Sequence, residues 1–286
     1  MTVYIDKFAD RKHCEFVKEF SYDVPALVIL TLLGAPHADA PKAKRWAVAR
    51  AMLTWGQPSE PEQVKFAHDM VEYWNYCQGV VAARHTHITD DLPGDLVKLQ
   101  MEGADISDHE IASICYSALF AGHETTTNLM TNGVRELVRR PEQWQRLVDD
   151  PTLIPRAVDE MLRTNPSVIA WRRSALEAAT IGGVAVPKGA KVLLLLGSAN
   201  RDEAKFEHGE EIDVGRKSTA THLSFGYGIH YCLGAQLAKL ESQVMLQELT
   251  RRLKGIRLKP GQSFAFARTM SFRIPEALEL EWDHAV

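Results

Sequence analysis

Cysteine is scarce in this chain. The four present, Cys14, Cys77, Cys115 and Cys232, are widely scattered and no two form a CxxC pair. That spacing argues against a disulfide framework or a structural zinc site and suits a reducing, cytoplasmic setting. Long apolar runs are missing as well. The most apolar stretch, Val24 to Leu33, is far shorter than the roughly 20 residues of a membrane span. It reads instead as a buried helix, with Pro25 near its start and Gly34 and Pro36 at its end. Nor is there a strong charge of either sign. A net charge of −4 gives no reason to expect nucleic acid or an anionic membrane as a partner. Asp6, Lys7, Asp10, Arg11 and Lys12 exclude a secretory signal at the start. Internal repeats and low-complexity tracts are lacking too. What remains is an ordinary globular composition, 45% hydrophobic and 24% charged over 286 residues, enough for one large domain or two modest ones.

The first two-thirds reads as helix after helix. Tyr4 to Phe20 mixes charged and apolar residues at helical spacing, and Ala40 to Trp55 is stopped by Gly56 and Pro58. Ser59-Glu-Pro-Glu62 is a capping box opening a helix to about Arg84, and Thr89 to Gly94 is a loop before a short helix, Asp95 to Met101. A second capping box, Ser107-Asp-His-Glu110, starts a helix that runs to Pro141. At 1.5 Å per residue its length is roughly 45 Å. From Ile111 to Gly122 it is apolar or small on all sides, which marks a central, buried helix. Ala118, Gly122, Thr125 and Thr126 form one stripe of small side chains beside a locally weak turn. That stripe leaves room for a plate-like ligand with a small molecule above it, or serves close helix packing; the acid Glu124 beside the hydroxyls favours the first. Pro141–Val148 and Ile154–Arg163 are further helices. Thr180 to Gly189 then reads as a hairpin and Lys191–Leu196 as a buried strand. Asn200 to Thr221 is a long polar loop, the following helix ends near Lys254, and short strands occupy Ile256 to Trp282.

The polar loop leads into Phe225-Gly-Tyr-Gly-Ile-His-Tyr-Cys-Leu-Gly234. A thiol where a helix begins faces unpaired backbone N–H groups and the positive end of the helix dipole, both of which favour the thiolate. Gly226 and Gly228 permit backbone angles, and an approach to a neighbour, that a Cβ would block. The loop therefore offers a sulfur anion to a flat, bulky partner; the plainer alternative is a half-buried structural cysteine in a turn. Two other motifs fail. His123-Glu124 lacks the second histidine of a zinc protease, because position 127 is Thr127, and Gly226-x-Gly228 lacks the third glycine of a dinucleotide loop, because position 231 is Tyr231.

The spacing Phe-Gly-x-Gly-x-His-x-Cys-x-Gly resembles the haem-thiolate motif of the cytochrome P-450 family, and the resemblance extends over nearly the whole chain. It implies a mainly α fold with small β-sheets, as one haem domain over residues 1–286. The cofactor implied is haem b (heme b, iron protoporphyrin IX), with Cys232 as axial ligand to the iron and Phe225, Gly226, His230, Gly234, Arg173 and Ala121 around it. A thiolate in that position donates electron density that favours O–O cleavage. Arg173 and His230 match propionate-binding positions, with Arg172 as the adjacent alternative. Ala121-Gly-His-Glu-Thr-Thr126 resembles the family's oxygen-binding segment. There Thr125 and Glu124 would deliver protons toward O2, and Gly122 would leave room for it. Ser167 to Ala170 and Ala267 to Phe272 match substrate-lining segments, with Val168, Ile169, Ala170 and Met270 in them and Ala118 on the central helix as lining positions; apart from Arg268 these segments are mostly small or apolar, which implies a lipophilic substrate.

Glu160-Met-Leu-Arg163 resembles the family's buried Glu-x-x-Arg pair, a structural tie. The arginine that completes this group in the family falls at Glu211 here, and Arg216 is the candidate replacement. By the same resemblance Tyr4–Pro36 matches middle helices of the fold, so its N-terminal helices, part of its main sheet and a propionate-binding helix have no counterpart: a fragment or a shortened form. The implied activity is monooxygenation of a lipophilic small molecule. Electrons would come from NAD(P)H indirectly, through a ferredoxin or flavodoxin-type donor and its reductase. The other readings are a haem-binding remnant without oxygenase activity and a helical interaction protein with no cofactor.

Overall fold

A computed structural model describes residues 1–217, 221–267, 269–273 and 275–286; Arg268 lies outside the described residues. The chain opens with helix α1 (Thr2–Asp6), strand β1 (His13–Glu15) and a wide helical turn, Val17–Ser21. The helical reading of Tyr4–Phe20 is thus corrected. Lys12 sits in the left-handed region, at φ 61°, and breaks the helix. The next residues turn extended and pair with the C-terminal strand, Cys14 opposite Leu280. Helical spacing could not reveal a strand partner more than 260 residues away.

Next come α2 (Val24–Leu32), α3 (Ala40–Trp55) and α4 (Glu60–Thr86). The Ser59 box caps α4, with Ser59 N–H donating to Glu62 Oε2 at 2.7 Å. Helix α5 spans Leu92–Met101 and begins three residues before the expected start. Asp91 accepts the Gly94 N–H at 2.9 Å as its cap, and Pro93 fits the first turn, where no N–H is needed. Helix α6 spans Asp108–Val138, capped by Ser107 and Glu110. It continues unbroken through the threonines. Thr125 Oγ1 donates to Ala121 O at 2.8 Å, so the hydroxyl is satisfied within the helix itself.

Helices α7 (Pro141–Asp149) and α8 (Ile154–Thr164) follow, then β2 (Trp171–Ser174), the hairpin β3 (Ala179–Ile181) and β4 (Val184–Val186), β5 (Lys191–Leu194) and a single turn, α9 (Leu196–Ala199). Gly182 and Gly183 both have positive φ, 55° and 81°, which a two-residue hairpin turn requires. Strand β5 pairs antiparallel with β2. It is not buried, and that expectation is corrected: Leu193, Leu194 and Leu195 are all exposed. Beta strands are apolar when something covers them, but among the described residues β5 has only β2 as a sheet neighbour. The chain ends with α10 (Ala235–Arg252), β6 (Leu253–Lys254), β7 (Arg257–Leu258), β8 (Glu279–Glu281) and β9 (His284–Ala285).

Helix α6 belongs to two cores. Its first half, Ile111 to Leu119, packs with residues of α2, α3 and α4. Its last half, Leu129 to Val138, packs with α7, α8, α10 and the N-terminal aromatics Phe8, Phe16 and Phe20. Ala121 to Thr125 lies between the two. Polar and small residues there interrupt an otherwise apolar contact surface, and on this stretch Ala121 is open to solvent. No helix among the described residues is long and apolar enough to cross a membrane.

Candidate active site

The cysteine loop is closed by its own backbone. Cys232 N–H donates to Phe225 O at 2.9 Å, Gly226 N–H to Leu223 O at 2.9 Å and Tyr231 N–H to Gly228 O at 2.9 Å. Gly226 and Gly228 take φ of 75° and 74°, angles that β-carbon-bearing residues avoid. The Phe225 ring is half-buried and packs on the larger core, which anchors the loop's start. Gly234 is the first-turn cap of α10. Cys14, Cys77 and Cys115 are buried, whereas Cys232 is exposed.

Burial of the sulfur pushes the Cys232 thiol up although the residue is exposed, and the Gly234 N–H bonded to its sulfur works against that.

Around the thiol stand exposed apolar side chains: Tyr227, Ile229 at 97% and Leu233 at 95% exposure. His230 is exposed in the same turn. Arg173 is exposed on β2 and lines a recess of about 560 Å³ with Arg172, Ser174 and Lys191. Arg172 is engaged elsewhere. Its Nη2 donates to Thr54 O at the end of α3, and its guanidinium lies 4.5 Å from the Trp55 ring. It is exposed, but its guanidinium is held by the end of α3.

On α6 the stripe drawn from sequence splits in two. A Cβ on Gly122 would meet the Ile29 side chain of α2, with Cδ1 at 2.5 Å, and Ala118 packs in the same core. Gly122 therefore serves helix packing, which corrects its assignment as room for oxygen. The open face runs through Ser117 and Ala121 to the half-buried Glu124 and Thr125. Burial pushes the Glu124 carboxyl up. His123 points inward, with Nδ1 bonded to Leu119 O at 2.7 Å, and burial holds its pKa down at about 4.

The substrate-lining candidates do come together. Val168 bridges Phe272, and Ile169 N–H donates to Ser271 O at 2.8 Å. Ser271 Oγ donates to Ala170 O at 2.5 Å, and Met270 N–H to Trp55 O at 3.3 Å. Ser167 Oγ donates to Thr125 O at 2.6 Å and so fixes this segment to α6. Trp55 and Trp171, 4.9 Å apart, form a roof with Phe272, Ala51 and Phe120. Trp55 was legible in the sequence only as the end of a helix; its place here depends on contacts between distant segments.

Glu160 and Arg163 are wholly buried and joined by two bonds, Nε to Oε2 at 2.8 Å and Nη2 to Oε1 at 2.7 Å. Arg163 also donates to the carbonyls of Asn200, Gly209 and Glu211. Arg216 supplies the second cation, its Nε 3.0 Å from Glu160 Oε1. Asn200 carries this grip to the cysteine loop. Its Oδ1 accepts Leu223 N–H at 2.7 Å and its Nδ2 donates to Ser224 Oγ at 2.8 Å.

A flat, largely apolar group with acidic edges fits this donor set. The loop offers one accessible sulfur amid uncovered apolar side chains, and Arg173 and His230 are cations or donors free to meet carboxylates.

A family profile described as Cytochrome P450 matches residues 59–262. The chain is 36% identical over 271 residues to a mycinamicin IV hydroxylase/epoxidase of Micromonospora griseorubida, covering 94% of this chain and 67% of that protein. It is 34% identical to a steroid C26-monooxygenase of Mycobacterium tuberculosis, over 94% of this chain and 72% of the relative. Among solved structures, cytochrome P450 CREJ in complex with (4-ethylphenyl) dihydrogen phosphate superposes with a TM-score of 0.95. It shares 49% identity and is matched over 98% of this chain and 70% of its own. The chain spans 61 to 72% of the length of such curated relatives.

Proposed function

The chain belongs to the cytochrome P450 family of haem-thiolate monooxygenases, whose cofactor is haem b, and from that premise we propose that it inserts one oxygen atom from O2 into a lipophilic small molecule. The observation that carries this reading is Cys232, the one exposed cysteine of four, held in a backbone-closed glycine loop at the start of α10. Haem b, when bound, supplies the oxygen-activating iron. Cys232 Sγ would hold the iron, and a cation at that position would offset the burial that raises the thiol. The Gly234 N–H on the sulfur would steady the ligand's negative charge. Phe225 and Gly226 would hold the loop against the group, and Arg173 and His230 would take its propionates, with Arg173 able to pair bidentately.

Glu124 and Thr125 would handle protons. A half-buried carboxyl with a raised pKa keeps its proton nearer neutrality, which suits a general acid in a dry pocket. The Thr125 hydroxyl, now donating to Ala121 O, would accept that proton and present its own on the open face of α6. Val168, Ile169, Ala170 and Met270, under the Trp55–Trp171 roof, would enclose the substrate and exclude water. The ligand named for the 49%-identical structure supports a substrate built on one alkyl-substituted aromatic ring. Electrons would arrive from NAD(P)H through a separate ferredoxin or flavodoxin-type donor and its reductase. Four free thiols suit the reducing cytoplasm as the site of action.

A second reading, haem binding without turnover, is favoured by the uncovered β5 and by the exposed Ile229 and Leu233. The spectrum of the reduced, CO-treated protein tests both. A strongly red-shifted Soret band that is abolished in Cys232→Ala and retained in Cys14→Ala, Cys77→Ala and Cys115→Ala supports the ligand assignment. A band that survives Cys232→Ala would refute it. Oxygen-dependent product formation with surrogate redox partners then separates the monooxygenase from the binder.

A further inference from the structure

Five aromatic side chains on α3, α4 and α6 form one ring-to-ring path. Trp74 meets Tyr116 edge-on at 5.9 Å, and Tyr116 stacks on Tyr73 at 4.1 Å. Tyr73 stacks on Trp46 at 5.1 Å, and Trp46 meets Tyr76 at 5.0 Å. Trp74 is one terminal ring. Tyr116, beside it, precedes Ala121 on α6 by an axial rise of about 7.5 Å, and Arg50 lies over both the Tyr116 ring and the ring of Phe120, which packs on the Trp55–Phe272 cluster. At the outer end Tyr76 is half-buried beside Asp39.

Core packing explains the stacking, but it does not explain how the protons are placed. A phenol that loses an electron becomes a strong acid, and an indole becomes an acid comparable to a carboxylic acid, so the charge comes to rest where a base can take the proton. Trp46 Nε1 is buried with no hydrogen-bond partner among the described residues. Tyr73 O–H donates to the Tyr116 backbone carbonyl, and Tyr116 O–H to Met70 Sδ at 3.2 Å. Neither a peptide carbonyl nor a thioether is a useful base. Tyr76 alone on the path donates to a carboxylate, Asp39 Oδ2, at 2.9 Å. One cation favours the same direction. Arg50 lies 4.7 Å from the Tyr116 ring and has no carboxylate partner among the described residues, so positive charge is disfavoured there. Arg45, 5.9 Å from the Trp46 ring, is offset by Asp69 and Glu72, so it sets no such barrier at Trp46.

We propose that this ladder is a protective hole-transfer route that carries oxidising equivalents from the pocket to Tyr76, with Asp39 as its proton acceptor. The direction of flow rests on the oxygenase reading above, which supplies the one-electron oxidant when oxygen is activated with no substrate to consume it. One electron passes ring to ring toward the pocket and reduces that oxidant. Tyr76 is oxidised, its O–H bond breaks, and the proton moves to Asp39 Oδ2, leaving a neutral phenoxyl radical beside a protonated carboxyl. A small-molecule thiol then returns an electron from its thiolate form, Asp39 returns the proton, and Tyr76 is restored.

Two measurements test this on the full chain. In the first, the haem-loaded protein is mixed with hydrogen peroxide without substrate and freeze-quenched for electron paramagnetic resonance. A tyrosyl signal is expected in the native sequence and lost in Tyr76→Phe and in Asp39→Asn. It should persist in Tyr4→Phe, which removes a phenol bonded to Asp23 at 3.2 Å but outside the ladder. In the second, haem is left out and a photo-oxidant is tethered to Ala121→Cys in a Cys232→Ser background. The transient phenoxyl absorption is again expected to vanish in Tyr76→Phe, whose ring preserves the packing. A light-driven signal without a peroxide-driven one would keep the ladder and sink the oxygenase reading. Radical yields that Tyr76→Phe and Asp39→Asn leave unchanged in the light-driven measurement would overturn the ladder itself.

Discussion

Arg216 Nε and Arg163 Nη2 converge on the same atom, Glu160 Oε1, at 3.0 and 2.7 Å. The carboxylate thus holds two guanidiniums, one wholly buried and one near the surface. Removing Arg163 leaves Arg216 on Glu160 Oε1 but takes the donor from buried Oε2 and from three carbonyls of the polar loop, so Arg163→Ala should cost about 3–5 kcal/mol. Arg216→Ala should cost less, because Arg163 still neutralises Glu160. Glu211 contributes only its carbonyl to this group, and its side chain is exposed. Glu211→Arg should therefore leave stability nearly unchanged. Denaturant midpoints for the three variants check the order.

Backbone angle separates the glycines of the cysteine loop. Gly226 sits at φ 75°, so Gly226→Ala forces a left-handed alanine, at roughly 1–2 kcal/mol. Gly234 has φ −83°, which alanine adopts without strain, and no protein atom within 4 Å of where a Cβ would go. Gly234→Ala should therefore fold with native stability, while Gly226→Ala should lower the denaturant midpoint. Equal midpoints for the two variants would show that the loop relieves the strain at Gly226.

Local signals in the sequence were faithful where the physics is local. Ser59 and Ser107 announced α4 and α6 because a cap acts within one turn, and Gly182-Gly183 announced its hairpin for the same reason. The cysteine loop was legible because its glycines and its thiol are neighbours in the chain. Features that depend on a distant partner were not. His13 to Glu15 became strand because β8 lies alongside, and β5 stayed exposed because among the described residues no second strand pairs with it. Gly122 read as space for a ligand, but its bare face is filled by Ile29 of another helix. Arg172 read as a charge near the propionates, but the end of α3 claims it.

That last contact gives a prediction about the pocket roof. Arg172 donates to the Thr54 carbonyl and stacks over Trp55, and Trp55 O accepts the Met270 N–H at 3.3 Å. One guanidinium thereby ties the last turn of α3 to β2. Arg172→Ala should speed hydrogen exchange at the amides of residues 52–56 while leaving those of α8 unchanged. Arg172→Lys should not restore protection, because an ammonium lacks the planar face that stacks on indole. Native protection in Arg172→Ala would show that the roof is held by apolar packing alone.

Glu241 and His123 together set the dependence of stability on pH. Glu241 is buried on α10 with neither carboxylate oxygen partnered among the described residues, and burial pushes its pKa from 4.5 up to about 8. Between those values the native state holds a proton that the unfolded chain has released, so stability falls as pH rises. Burial moves His123 the other way, from 6.5 to about 4, so over that interval the unfolded chain holds the extra proton and stability rises with pH. From about pH 4.5 to 6.5 the two slopes oppose each other and the profile should be nearly flat. Above pH 6.5 the His123 slope is gone and Glu241 contributes the main fall, about 1.4 kcal/mol lost per pH unit until its folded pKa is passed, with the raised Glu124 carboxyl adding in the same direction. Glu241→Gln keeps the shape and removes the proton. It should flatten the alkaline fall, uncover the His123 rise on the acid side, and make the variant more stable than the native sequence at pH 8. A Glu241→Gln profile that falls as steeply above pH 6.5 would place the responsible group elsewhere.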